Sequence, residues 1–496
     1  MKNKIIGRKE EQLVLEQCYC ANNPEFIAIY GRRRVGKTFL VRNKFSEKKD
    51  VIFVNVTGMQ DGSLAEQIQN FTEAVADAFY HKGVKLEVEE NWHKTFRMLT
   101  TNITEAPKKK KIVLFFDEFP WMTTQNSKLL QNLEYFWNQY WSRDSRIKLI
   151  ICGSASGWIL KNIINNKKGL YNRVTKTIHL EPFDLSETKQ YLASKGIKLN
   201  NKQITELYMV IGGIPHYLAQ VTKGLSAVQA IEKLAFSKNS FLLGEFAKLY
   251  ATLFNNADSC IDIVKTIAKH RYGIGQEDLF RNIPRLSSGG TIIKVLADLE
   301  QAGFIISFKP KWHRKKGIYY KVIDEYTLFY FYWIESMKRD LLSTGLRPGY
   351  WEQTQNKASW HIWQGYAFEA ICYKHLPQIS IALNLSPTAL PSTWRYTPLG
   401  GSQEKGAQID LLFDRDDDSI TICEIKYTNQ PFVIDKEYAK NLMSKVDVFK
   451  KKTKTSKQIF IAIISARGIK PTMYSEEIIS GCVKLDDLFL AKKALM

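Results

Sequence analysis

Apolar residues recur at helical spacing from Glu10 to Cys20, and Phe26 to Tyr30 is a short β-rich run that ends directly on a glycine loop. Further β-rich runs lie at Val51 to Val56, Lys111 to Phe116 and Lys148 to Cys152, separated by helix-patterned segments. Alternation of this kind predicts a parallel sheet covered by helices. After Leu180 the β-rich runs stop, and Ser186 to Ser194 opens a mainly helical stretch to about Asn255, interrupted by Gly212-Gly213-Ile214-Pro215. This reads as a helical lid. Three helix-like segments follow, Asp258 to His270, Gln276 to Arg281 and Gly290 to Ala302, and then a hairpin from Phe304 to Val322. Three helices plus a β-wing describe a winged helix-turn-helix. The aromatic segment Tyr326 to Trp333 and the weakly patterned stretch Thr344 to Ala358 read as a linker. A last domain begins with a helix around Trp360 to His375, continues through a hairpin at Ala407 to Tyr427, and ends with helix and strand elements through Leu490.

Length agrees with this division, because 496 residues are too many for one hydrophobic core. The expected fold is α/β and multidomain: a core with a parallel sheet at 1–185, a helical lid at 186–255, a winged helix-turn-helix at 256–340 and a further α/β domain at 341–496. The apolar fraction of 45% and charged fraction of 24% are those of soluble globular protein. A formal net charge of +21 concentrates polyanions near the chain, nucleic acid first among them. An anionic membrane surface would respond similarly, but no run of about 18 apolar residues exists and the start lacks the apolar segment of a secretory signal. The expected location is therefore the cytosol. The 7 cysteines form no paired CxxC motif, which argues against a zinc site or a disulfide framework.

Gly31-Arg32-Arg33-Arg34-Val35-Gly36-Lys37-Thr38 fits GxxxxGK[ST], after a β-run and before a helix. The glycines let backbone N–H groups curl around phosphates, Lys37 reaches the β and γ phosphates, and the Thr38 hydroxyl ligates Mg2+. The helix that starts here points its positive end at the anion. A second strand, Ile112 to Phe116, ends in Asp117-Glu118, where Asp117 would hold magnesium through its water shell and Glu118 would polarise the attacking water. Arg173 either supplies transition-state charge, to its own or a neighbouring ATP, or pairs with a surface carboxylate.

The expected wing carries Lys309, Lys311, Trp312, Arg314, Lys315, Lys316 and Lys321, a spacing suited to phosphate contacts with one stacking aromatic. Nonspecific binding of duplex DNA is the functional reading, although winged helices also serve as protein contacts and lysines decorate any solvated hairpin. In the last domain, two alternating strands are joined by the acidic turn Asp414 to Asp418. With the turn centred near Asp417, Asp410 lies opposite Glu424, and Glu424 and Lys426 project from the same face. Two carboxylates and a lysine so placed suit a divalent metal and an attacking water at a phosphodiester, with Gln408 assisting. Salt bridges from Asp410 or Glu424 to Lys426 without any metal are the bland alternative.

Gly7-Arg8-Lys-Glu-Glu, the P-loop, Asp117-Glu118, Gly153-Ser154 and Gly212-Gly-Ile-Pro215 occur in the order of a known family. Over essentially its whole length the chain resembles the archaeal-type AAA+/STAND P-loop ATPases with a winged helix and a C-terminal restriction-endonuclease-like domain. The resemblance implies that Gly7-Arg8 lies near the adenine, that Gly212 to Pro215 places the lid over the nucleotide, and that Ser154 stands where related ATPases put a γ-phosphate sensor. Leu170-Tyr-Asn-Arg173 stands where similar proteins often carry Tyr-Gly-Arg. Asp410, Glu424 and Lys426 resemble the D-x(n)-E-x-K arrangement of restriction-endonuclease-like nucleases, in which an upstream helical glutamate, here matched by Glu369, joins the site. The reading is an ATPase, with ATP and Mg2+ as cofactors and a second divalent metal at the C-terminal site, whose nucleotide state controls binding or cleavage of DNA. Alternatives are an assembly switch with a silent nuclease-like domain, joined to a protein partner or to further copies of the chain, and a motor that translocates along nucleic acid.

Overall fold

A computed structural model describes residues 4–80, 83–165, 170, 172–254, 256–283, 289–309, 317–343, 346–398 and 404–491. The chain divides into two compact units, Met1–Pro182 with Ala297–Gly303, and Phe183–Leu296 with Phe304–Met496.

In the first unit, β1 (Glu25–Tyr30), β2 (Val51–Thr57), β3 (Lys111–Asp117), β4 (Ile147–Gly153) and β5 (Lys176–His179) form one sheet in the order β2-β3-β4-β1-β5. All four pairings are parallel. A parallel sheet is covered on both faces, which is why β3 and β4 read as near-continuous apolar runs, and β4 is buried at every position. β5 escapes the sequence pattern because only Ile178 of its residues is buried. Helices Leu64–Phe79, Trp92–Glu105 and Leu129–Gln139 pack with the sheet in one core, where Phe71 meets Trp92 edge-on at 5.5 Å between ring centroids. The first of these helices starts on a reciprocal cap, Ser63 accepting from the Glu66 N–H and the Glu66 carboxylate accepting from the Ser63 N–H. For function, the consequence is that β1, β3 and β4 are adjacent and parallel, so whatever follows their C-terminal ends gathers at one sheet edge.

The second unit opens with helices from Leu185–Ser194 to Phe241–Leu253 and no strand among its described residues there. Helices Ala257–Ala268 and Gln276–Asn282 follow, then helix Gly289–Gln301, whose residues from Ala297 on belong to the first unit, with β6 (Ile274–Gly275), β7 (Ile305–Phe308) and β8 (Tyr319–Val322) in an antiparallel sheet ordered β6-β8-β7. Beyond helix Ala358–Lys374 come β9 (Leu390–Tyr396), β10 (Ala407–Asp414), β11 (Ser419–Lys426), β12 (Phe432–Val433), β13 (Gln458–Ser465), β14 (Ile469–Lys470) and β15 (Gly481–Lys484). β12 and β14 pair with each other, and the rest make a mixed sheet ordered β15-β13-β11-β10-β9. Its β9, β10 and β11 are antiparallel neighbours, whereas β13 runs parallel to β11 and β15 parallel to β13. Helix Lys436–Thr453 makes the crossover from β11 to β13 and seats Val446 and Phe449 against Trp394, Leu412, Ile420 and Ile422.

The stretch expected as a linker, of which residues 346–358 are described, is built into the core instead. Helix Tyr350–Thr354 places Trp351 at 0% exposure. Its ring stacks on Phe236 at 4.7 Å and meets Trp360 at 4.9 Å and Trp333 at 5.2 Å. The Glu232 carboxylate accepts from the backbone N–H groups of Gly349 and Trp351 at 2.6 and 3.2 Å, fixing the start of that helix. Periodicity misses such an element because one turn of helix is too short to show a stripe. Trp351→Ala should destabilise the second unit by about 3–5 kcal/mol, read as a lowered midpoint in urea denaturation of the full chain.

Candidate functional site

Two groups of side chains emerge, one in each unit. In the first, β1 runs into the loop Gly31 to Thr38, and helix Lys37–Phe45 starts inside it. The entry is fixed by backbone: Gly31 has φ +144°, and a Cβ there would lie 2.2 Å from the Leu180 carbonyl oxygen. Gly36, at φ +95°, caps the helix. Lys37 is buried and donates to the carbonyls of Gly31 and Arg32 at 2.9 Å each, so the loop closes around its own ammonium. Arg32 is buried, Arg33 half-buried, and Arg34 adopts a left-handed backbone with φ 72°. Arg8, itself buried, donates to the Val35 carbonyl at 3.2 Å, which brings Gly7-Arg8 onto the loop.

β3 delivers Asp117 to the same edge, and the Thr38 hydroxyl donates to its Oδ2 at 2.7 Å. Glu118 follows in a left-handed conformation, φ 45°, which directs its carboxylate toward the end of β4. There its Oε2 accepts from both the N–H and the hydroxyl of Ser154, at 3.0 and 2.9 Å. Lys37, Thr38, Asp117, Glu118 and Ser154 thus converge from three strand ends. His179, at the end of β5, stacks on Tyr30 at 4.8 Å, and burial holds its imidazole below the ordinary range, helped by nearby Lys37 and opposed by Glu181. Sequence reasoning did not single it out. Arg173 is exposed in a turn after Leu170, while Gly169 and Tyr171 lie outside the described residues. Pro215 belongs to the second unit, where it starts helix Pro215–Leu218. Just before it, Phe183 N–H donates to the Gly213 carbonyl at 2.7 Å, and a Cβ on Gly213 would sit 1.7 Å from the Phe183 oxygen.

In the second unit the β10–β11 ladder pairs Leu411 with Cys423, and one residue further along the same register Asp410 faces Glu424. Asp410 Oδ2 accepts from the Ile425 N–H and Oδ1 from the Gln408 amide, each at 3.2 Å. Burial pushes the Asp410 carboxyl up to about 6, with the Glu424 and Glu369 charges adding to the effect. For Glu424 burial also acts upward, but Lys426 at 2.9 Å and Lys445 at 2.8 Å outweigh it and keep the group ionised. The Tyr438 hydroxyl donates to the same carboxylate at 3.1 Å. Glu369, in helix Ala358–Lys374, is 3% exposed, and its two oxygens accept from Lys321 on β8 at 2.8 Å and from Arg271 at 3.3 Å. Tyr373, one turn on, donates to the Asp410 carbonyl and, at 3.4 Å, to Glu369. Among the described residues no group of three or more His, Cys, Asp or Glu is arranged to hold a metal ion. The lysines occupy that role: Lys321, Lys426 and Lys445 neutralise the carboxylates that a divalent cation would need. Arg271, Tyr373, Tyr438 and Lys445 had no signal in the sequence, and Lys321, expected as a wing lysine for phosphate, is paired with Glu369 instead.

Of the expected wing, Lys309 is described and exposed, whereas Lys311, Arg314, Lys315 and Lys316 lie outside the described residues. Among the described residues no helix is long and apolar enough to cross a membrane.

Residues 6–221 match the family described as an ATPase domain predominantly from Archaea. An uncharacterized protein of Methanocaldococcus jannaschii is 24% identical over 430 residues, spanning 85% of this chain and 87% of its own. An uncharacterized ATP-binding protein of the same organism is 48% identical over 47 residues, 10% of this chain and 78% of that one. Among solved structures, a Walker-type ATPase of Pyrococcus abyssi covers 66% of this chain and 96% of its own at 19% identity, with a TM-score of 0.46.

The raised Asp410 carboxyl makes a stability prediction independent of any ligand. Its folded-state value, about 6, lies above the ordinary carboxylate value, so the folded chain holds this proton more tightly than the unfolded chain. The contribution is present at acid pH and is lost as pH rises through about 6. In urea denaturation with EDTA, Asp410→Asn should therefore be more stable than wild type at pH 7, with the gap closing toward pH 4.

Proposed function

Starting from the ATPase domain predominantly from Archaea that residues 6–221 carry, we propose that the chain binds and hydrolyses Mg-ATP and that its nucleotide state controls a nucleic-acid-binding, metal-dependent nuclease centre around Asp410. The residues at the P-loop fit the nucleotide and its metal: Thr38 and Asp117 lie 2.7 Å apart at the loop mouth, and Lys37 is held there by two carbonyls it would exchange for phosphate oxygens. Thr38 would ligate Mg2+, Asp117 would hold it through water, and the ion would neutralise charge on the phosphates. Glu118 is the general base in this reading, with Ser154 holding it aside until a γ-phosphate competes for the hydroxyl.

The observation that carries the control step is a set of contacts within the second unit. Lys374, at the end of the helix that bears Glu369, pairs with Glu325 at 2.7 Å, and a side chain at Gly212 would meet that same Glu325 carboxylate at 2.7 Å. Next to it His375 accepts the Leu185 N–H on Nε2 at 3.1 Å while Nδ1 bonds the Ile371 carbonyl, which fixes a neutral tautomer. The Gly212–Pro215 segment and the start of helix Leu185–Ser194 are thereby joined to Glu369 through a few buried groups. Movement of the lid on nucleotide binding would displace that helix and with it Glu369. The winged helix, with DNA as its partner, completes the reading.

A second reading, a nucleotide-dependent assembly switch with a silent nuclease-like domain, is favoured by the two oxygens of Glu424 each being held by a lysine. Cleavage of plasmid and single-stranded DNA with Mg2+ or Mn2+, with and without ATP, separates them. The nuclease reading expects cleavage by wild type, none by Asp410→Ala, and an altered ATP response in Lys37→Ala, whose ATP affinity should fall at least about tenfold. Absence of cleavage under every condition, with ATP still bound by wild type, would favour the switch.

A further inference from the structure

The ion pairs on Glu369 come from Lys321 on β8 and from Arg271 just before β6, and they close one side of a cleft. β7, β8 and the Tyr272–Gly273 turn form one wall, and β9, β10 and helix Ala358–Lys374 the other. The cavity between them has a volume of about 510 Å³ and contains both Asp410 and Glu369. Its basic groups are Lys309, Lys321 and Arg395, and the exposed Arg395 guanidinium lies over the Tyr272 ring at 5.1 Å. Tyr319 adds a second ring to the same wall.

Three properties follow. The volume is that of a small-ligand pocket, with room inside for roughly one or two nucleotides. Aromatic rings interleaved with cations suit unpaired bases, which stack, and the phosphates between them. Lys321 sits on β8 with its ammonium 2.8 Å from Glu369, so a duplex cannot approach Glu369 from that side without displacing the strand, whereas a phosphate within the cleft needs only the lysine.

We propose that this cleft admits a single nucleic-acid strand to the acidic centre, with Arg395 and Tyr272 gripping it and a strand phosphate drawing Lys321 away from Glu369. The proposal rests on the nuclease reading only for naming the centre; the binding itself requires no metal. Arg395 and Tyr272 are positioning residues, and Lys321 is the group that exchanges partners. Once Lys321 leaves, Glu369 keeps Arg271 on one oxygen and has the other available beside Asp410, so the substrate would assemble the centre that the resting state holds apart.

The test is fluorescence anisotropy of labelled oligothymidine and of a labelled duplex of the same length with the full chain in EDTA. Wild type should bind the single strand at least about tenfold tighter than the duplex. Arg395→Glu, an exposed change that should leave thermal unfolding unaltered, should weaken single-strand binding by about tenfold or more while changing duplex binding little. Equal or tighter duplex binding, or single-strand binding that ignores Arg395→Glu, would overturn the proposal. EDTA keeps the two readings separable. Preferential single-strand binding without cleavage in Mn2+ removes the nuclease and leaves the strand cleft, whereas duplex cleavage with no single-strand preference does the reverse.

Discussion

A charged carboxylate is costly to bury, and three glutamates of the second unit are buried with cations against them. Glu325, Glu369 and Glu424 are each no more than 4% exposed. Leaving any of them ionised without a partner would cost several kcal/mol, so each requires a cation delivered to it by the fold. Lys374 serves Glu325, Lys321 and Arg271 serve Glu369, and Lys426 and Lys445 serve Glu424. Because the two partners of most pairs lie far apart in the chain, these charges fix the register of helices against strands. Glu325 retains the mark of this compromise: burial raises its carboxyl despite Lys374.

The same constraint bears on function. A divalent cation at Asp410 and Glu424 would compete with lysines that already neutralise the site, so metal binding and the release of lysine contacts are linked. In the proposed nuclease reading, a substrate phosphate would offer those lysines a replacement partner. On that reading an acidic centre incomplete until nucleic acid arrives would be less prone to act on the wrong occasion, and the buried contacts of Glu325, Lys374 and His375 would give the proposed lid a means of influencing the same helix.

The first unit depends instead on backbone. Gly31 and Gly36 take conformations and close approaches that a side chain would forbid, and parallel strands bring Asp117 and Ser154 to the loop they leave open. That arrangement is local enough to be read from the chain: the GxxxxGK[ST] pattern is contiguous, and the Asp117-Glu118 pair follows a strand whose apolar run is unbroken. The Asp410–Glu424 pairing was legible for a similar reason, since a hairpin register is set by its turn. β5, with one buried residue, and the five-residue helix that buries Trp351 were not, because neither is long enough to show a period.

The sequence by itself determined the nucleotide loop, the strand order of chemistry along it, and the face on which Asp410, Glu424 and Lys426 stand, because each follows from contiguous residues and a fixed period of side-chain direction. Only the tertiary structure decided which cations stand against those carboxylates. Arg271, Lys321 and Lys445 are ordinary surface-type residues in their own segments, and the acidic residues near two of them in sequence, Asp324-Glu325 and Asp447, are not the partners they take in the fold. Their partners are chosen by long-range packing, where burial turns an otherwise weak surface attraction into a requirement, and that choice is invisible until the chain has folded.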